Sequence, residues 1–231
     1  NRLPNKLTLK KNQLKIMTLN VNNFKSINLD DKPSFILDTL LSLVDEMNID
    51  MCFFQEFNID LEIKSNKYNY IFNKELNGLV VLYKKSLNIK NINFFKLINE
   101  RHFDQTRFCL HFNLNNKKFA TTHFNIGKGI YNRKGQIPNP EDLYKIVNYN
   151  YEYRKDQLNQ ILDKVPNPDF LIGEFNFISF VKEFDYLTKI KKYYCKLTNN
   201  KSPFGEQTNF IFSKNPYKFF TKIKYPYSYY F

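Results

Sequence analysis

The chain has 231 residues, with 35 Lys and Arg against 22 Asp and Glu, for a net charge of +13 at pH 7. At 42% hydrophobic and 17% aromatic residues it is too apolar for a disordered chain, and its length fits one domain, residues 1–231, with a substantial core. No apolar run reaches the roughly 20 residues that cross a bilayer, and Cys52, Cys109 and Cys195, with no Cys-x-x-Cys spacing, exclude a disulfide scaffold and a thiolate zinc site.

In chain order, short apolar runs rich in Val, Ile, Phe and Tyr predict nine strands: Leu14–Leu19, Met51–Phe54, Tyr70–Phe72, Leu79–Tyr83, Ile92–Leu97, Phe108–Leu114, Phe119–Phe124, Phe170–Ile172 and Phe210–Phe212. A helix is predicted to open near Pro33, with Phe35, Ile36, Leu40, Val44 and Met47 at helical spacing. A second spans Glu141–Lys164 on a stripe of Leu143, Val147, Leu158, Ile161 and Leu162, and a shorter one covers Ser179–Leu187. The Gly- and Pro-containing stretch Ile126–Asn139 reads as a long surface loop. Many strands with helices between them predict a layered α/β domain. Cys52 and Cys109 fall inside apolar strands, which predicts buried, inert thiols. The sequence opens on Asn1 rather than Met, which points to a segment upstream.

Polar groups recur where the apolar runs end, the place at which a rigid scaffold hands side chains to a site. Asn20 follows the first run, Gln55 and Glu56 the second, His123 closes the seventh, and Glu174 and Asn176 follow the eighth. Taken singly, each has a plain reading: Glu56 as a strand-end ion pair, His123 as a core histidine, Asn20 and Asn176 as turn caps, Glu174 as a loop charge. Together they read as an acidic metal site with hydrogen-bonding support, whose oxygen donors suit Mg²⁺ or Ca²⁺ rather than zinc.

The order of these motifs resembles the endonuclease/exonuclease/phosphatase superfamily of deoxyribonuclease-I-like proteins, over essentially the whole chain. LKIMTLNVNNF is similar to the opening strand that ends in a metal-site Asn, here Asn20, and MCFFQEFN to the strand that ends in the metal-binding Glu, here Glu56. GLVVLYKKS resembles the central strand after a hairpin tip, and KFATTHFNI the strand that carries an active-site His, here His123. YRKDQLNQILDKV resembles an Arg-x-x-Gln helix, which assigns Arg154 and Gln157 to substrate binding. PDFLIGEFNF resembles the Gly-Asp-x-Asn element, which assigns catalytic roles to Glu174 and Asn176 beside His123. The resemblance implies a four-layer α/β/β/α sandwich of two packed mixed sheets, and hydrolysis of a phosphoester with Mg²⁺ or Mn²⁺ as cofactor.

The departures from this pattern fall on the chemistry. The Asp of Gly-Asp-x-Asn is Glu174, one methylene longer; the late-strand Asp in TNFIFSK is Asn209, without a charge. Where the resemblance implies a terminal Ser-Asp-His, PYSYYF reads Ser228, Tyr229 and Tyr230, and little of a last strand remains before Phe231. A phenol with a pKa near 10 does not replace an imidazole that exchanges protons near neutrality. The other histidines, His102 and His111, lie in none of these motifs. The sequence thus predicts a degenerate, catalytically impaired member kept for nucleic-acid or protein binding. Its alternatives are an active Mg²⁺-dependent phosphodiesterase or nuclease on DNA or RNA, and a structural subunit of a larger assembly. The +13 charge has two readings beside this. It consists of 30 Lys and only 5 Arg, in a chain with 32 Asn and a single Ala, a profile that A/T-rich codons produce without selection. A phosphate-bearing partner accounts for it equally, as general attraction rather than sequence readout.

Overall fold

A computed structural model describes residues 13–21, 23, 32–58, 60–98, 106–124, 140–176, 182–195 and 209–216. In chain order these form β1 (Ile16–Asn20), α1 (Pro33–Glu46), β2 (Met51–Gln55), β3 (Tyr68–Ile71), β4 (Val80–Lys84), β5 (Ile89–Leu97), β6 (Arg107–Leu114), β7 (Lys117–His123), α2 (Pro140–Lys164), β8 (Phe170–Glu174), α3 (Lys182–Asp185) and β9 (Asn209–Ser213). A short 3₁₀ turn at Lys74–Leu76 precedes β4, and α3 runs on as a π-helical turn at Tyr186–Ile190. Each of the nine predicted strands falls on one of these. The predicted loop Ile126–Asn139, His102 and the terminal residues Ser228, Tyr229 and Tyr230 lie outside the described residues.

The strands form two mixed sheets, one in the order β1-β2-β4-β3 and one in the order β5-β6-β7-β8-β9. Each contains one parallel pair, β1 with β2 and β7 with β8. Period-two alternation decides which side chains fill which layer. Along β2, Met51 and Phe53 face the second sheet, while Cys52 and Phe54 face α1. Along β8, Ile172 faces the first sheet, while Leu171 and the following Phe175 face α2 and α3. The inter-sheet layer is a stack of rings: Phe119 lies 5.2 Å from Phe112 and 4.6 Å from Phe170. With α1 outside one sheet and α2 and α3 outside the other, the layers run α/β/β/α.

α1 begins at Pro33 because a first-turn proline forfeits no helical hydrogen bond. Its buried face is Ile36, Leu37, Leu40 and Val44. Phe35, expected on that face, is 55% exposed, since Ile36, Leu40 and Val44 set the axis of the stripe and Phe35 projects about 140° away from it. β5 begins earlier than expected, at Ile89, with a bulge between Lys90 and Asn93 where Asn91 takes a left-handed φ of 54°. Cys52 and Cys109 are buried and Cys195 is half-buried. Burial pushes the Cys52 and Cys109 thiols up, away from the reactive thiolate.

The end of α1 is tied to the first sheet by Tyr68, whose buried hydroxyl donates to the Ile49 carbonyl at 2.9 Å. Tyr68→Phe strands that carbonyl in an apolar layer and is expected to lower stability by about 1 kcal/mol. A urea unfolding midpoint equal to that of the parent chain would contradict this assignment.

Candidate active site at the ends of the parallel strand pairs

The polar cluster sits where the inter-sheet layer ends. The same alternation that sends Phe119 and Ile172 inward brings His123 and Glu174 inward as the last residues of β7 and β8, which face each other in register. Asn20, the last residue of β1, stands opposite Gln55 on β2. These inward positions lie at the C-terminal ends of both parallel pairs, so side chains from two sheets converge on one edge of the sandwich.

Glu56 reaches the cluster by breaking the alternation. It follows Gln55 with a left-handed φ of 52°, a conformation that non-glycine residues adopt only when held in place. Two backbone hydrogen bonds and the close approach of Gly78 hold it. The Asn23 amide donates to the Glu56 carbonyl at 2.7 Å, the Phe57 amide donates to the Gly78 carbonyl at 3.0 Å, and a Cβ on Gly78 would lie 3.2 Å from the Glu56 Cα. Gly78, at φ 81°, permits that approach. The Glu56 side chain stays 33% exposed, whereas those of His123 and Glu174 are nearly closed off at 4% and 11%.

His123 Nε2 lies 3.7 Å from a Glu56 oxygen and 3.6 Å from a Glu174 oxygen. Ligand atoms of the three residues all fall within 4.8 Å of one another. The opposite face of the ring fixes the tautomer. Arg107 Nη1 is 2.9 Å from His123 Nδ1, and because a guanidinium only donates, Nδ1 accepts. Burial, and then the Arg107 charge, hold the His123 imidazole well below its ordinary value. The neutral ring therefore carries its proton on Nε2, aimed at the carboxylates. Burial also lowers the Arg107 guanidinium, while Glu56 and Glu174 oppose that shift. The cluster thus holds two carboxylates, one guanidinium and a neutral imidazole.

One oxygen of Glu174 accepts a hydrogen bond from the Asn20 side-chain amide, which joins the two sheets at the site. Asn176 follows β8 with φ 50°, and its side-chain amide donates to the Phe124 carbonyl. Asn209, without the carboxylate that the resemblance implies, stands directly across the β8–β9 pair from Glu174.

The structure therefore brings Asn20, Glu56, His123 and Glu174 together, with Asn176 and Asn209 beside Glu174. Arg154 and Gln157 lie on α2 beneath this layer, each 1% exposed. Arg154 pairs with the buried carboxylate of Glu183 at 2.7 Å and donates to the Asn176 carbonyl at 3.1 Å. The Gln157 amide nitrogen is 3.5 Å from the Tyr153 hydroxyl. His111 is on β6 and packs 5.9 Å from the Phe95 ring. The reading of sequence motifs missed Arg107. Its one signal is rarity, since arginine occurs 5 times in a chain with 30 lysines.

The donor set fits a hard divalent cation. Two carboxylates and an asparagine amide offer oxygens, and His123, protonated on the nitrogen that faces them, adds a hydrogen-bond donor rather than a ligand.

No family model matches the sequence, and no curated protein matches it significantly. Among solved structures, the human Nocturnin catalytic domain with bound sulfate superposes at a TM-score of 0.61, with 10% identity over 87% of this chain and 83% of that one. An endonuclease/exonuclease/phosphatase family protein from Bacteroides thetaiotaomicron gives 0.58, with 15% identity over 86% and 82%. A mannosyl-6-phosphatase from the same organism gives 0.57, with 15% identity over 87% and 85%. Two packed mixed sheets, a polar edge at the ends of their parallel pairs and superposition along most of each chain agree: the chain has the endonuclease/exonuclease/phosphatase fold.

Proposed function

We propose that the chain holds a phosphoester at a divalent-cation site and hydrolyses it slowly. The observation that carries this reading is the convergence of Glu56, His123 and Glu174 from two sheets, with a His123 ring nitrogen and one oxygen of each carboxylate within 4.8 Å of one another. Glu56, Glu174 and the Asn20 amide would hold Mg²⁺ or Mn²⁺. Such an ion, when bound, polarises a phosphoryl oxygen and offsets the charge of the leaving oxygen. His123 presents its Nε2 proton to the same space, where it orients an oxygen of the phosphoester. Arg107 keeps that proton on Nε2 by occupying Nδ1. Asn176, fixed to the Phe124 carbonyl, sets the turn beside the ester. The sulfate bound to the Nocturnin domain and the phosphatase name of the Bacteroides protein support a tetrahedral oxyanion as the ligand class.

Slow turnover follows from the protonation chemistry of this chain. His123 is held neutral by burial and by Arg107, so it donates a hydrogen bond but is a poor general base. Asn209 has no charge, and Tyr229 and Tyr230 stand in the sequence where an Asp-His pair is expected. Loss of general acid–base assistance removes about 10²–10⁴-fold in rate. The net charge of +13 favours an anionic partner, and nucleic acid is the partner proposed. The domain is taken to span residues 1–231.

The test is purified protein with Mg²⁺ or Mn²⁺ on plasmid, single-stranded DNA and RNA. Cation-dependent binding with weak cleavage supports the proposal. Robust turnover that disappears in Glu56→Ala would show an active phosphodiesterase instead. Salt-insensitive association with a protein, without affinity for nucleic acid, would show a structural subunit.

A further inference from the structure

One ion pair lies almost entirely inside the protein, beneath the polar cluster. Glu183, on the short helix α3, is 0% exposed, and its partner Arg154, on α2, is 1% exposed. Arg154 Nε donates to Glu183 Oε1 at 2.7 Å. The other carboxylate oxygen, Oε2, is buried without a hydrogen-bond partner. A buried pair with an unsatisfied oxygen is a poor stabilising device, because desolvation offsets most of the attraction and apolar side chains of similar size serve as well. Stability alone does not account for it.

Its second connection does. The guanidinium fork that faces Glu183 also sends Nη1 to the carbonyl of Asn176 at 3.1 Å. Asn176 turns the chain in the left-handed conformation at φ 50°, which asparagine tolerates better than most residues. On its other side the Asn176 amide donates to the Phe124 carbonyl, and the Phe124 amide donates to the Glu174 carbonyl at 2.9 Å. The turn is therefore clamped between Arg154 and the end of β7. Glu174 lies two residues before Asn176, and His123 lies one residue before Phe124.

We infer that Glu183 is a positioning residue: it holds the Arg154 fork so that the fork fixes the Asn176 turn and, through it, the carboxylate of Glu174. This rests on the divalent-cation reading of the site, and adds the element that keeps Glu174 in place. Lysine at position 154 would keep the charge but lose the planar fork that serves both partners.

The experiment compares the full chain with the double variant Arg154→Met/Glu183→Met and with Arg154→Lys. Removing both charges together leaves no unpaired buried ion, so the double variant is expected to unfold within about 3 °C of the parent. Two local readouts should change nonetheless. Mn²⁺ affinity by calorimetry is expected to fall about tenfold in both variants, the scale on which supporting residues act on metal ligands. Exchange of the Phe124 amide is expected to quicken about tenfold, while the Leu82 amide in the other sheet keeps its rate. If the parent binds no Mn²⁺, the cation reading fails and Phe124 exchange alone decides the positioning role. If the double variant does not fold, Arg154→Lys carries the same two measurements. Unchanged Mn²⁺ affinity together with unchanged Phe124 exchange would overturn the inference and leave the pair a packing element.

Discussion

Glu56→Gln is expected to lower Mn²⁺ affinity about 100-fold or more while leaving the unfolding temperature unchanged or slightly raised. Glutamine keeps the shape of the side chain, so the left-handed turn at φ 52° and its contact with Gly78 stay intact. What disappears is one of the two carboxylates in a cluster whose only fixed positive charge, among the described residues, is Arg107. Two carboxylates held near one another repel until a cation joins them, so removing one relieves the unliganded protein and deprives the bound cation of a charged ligand. Activity and stability then move in opposite directions, as they do at sites built for function rather than for folding. The pair of measurements is Mn²⁺ calorimetry and thermal unfolding in EDTA. An unfolding temperature several degrees lower, with affinity retained, would make Glu56 a structural residue.

Gly173→Ala is expected to destabilise the protein by about 4 kcal/mol, enough to lower its unfolding temperature by on the order of 10 °C. Gly173 has φ 141°, and a Cβ built on it would lie 2.0 Å from the Thr122 carbonyl oxygen on the neighbouring strand. That oxygen belongs to the backbone of a paired strand and cannot rotate aside. Relief requires β7 and β8 to separate at the place where they carry His123 and Glu174. The loss should therefore appear in both thermal unfolding and Mn²⁺ binding. A shift under about 2 °C would show that the two strands tolerate a methyl group between them.

The positions of the strands along the chain were legible because each strand is a short Val-, Ile- and Phe-rich run, and the alternation within those runs also encodes the site. Phe119 and Ile172 face inward, and counting by twos from them reaches His123 and Glu174. Glu56 does not follow this rule. Its placement depends on a left-handed turn supported by Gly78, which lies on the approach to another strand, and no local pattern shows that contact. Phe35 was misplaced because its adjacency to Ile36 in an apolar run hides that it lies on the far side of α1 from Ile36, Leu40 and Val44. Arg154 stood out as a rare arginine in an Arg-x-x-Gln pattern. The sequence could not show that its side chain is turned under the site toward Glu183 and the Asn176 carbonyl. Arg107 and Glu183 are the partners of His123 and Arg154 across 16 and 29 residues, and such pairings become visible only when the sheets and helices are packed.

The most direct test of the central claim is a calorimetric titration of the chain with Mn²⁺ at neutral pH, repeated with the double variant Glu56→Gln/Glu174→Gln. The site described here predicts one saturable Mn²⁺ per chain, displaced by excess Mg²⁺ and lost in the double variant. Absence of saturable binding, or binding that survives both substitutions, would contradict it.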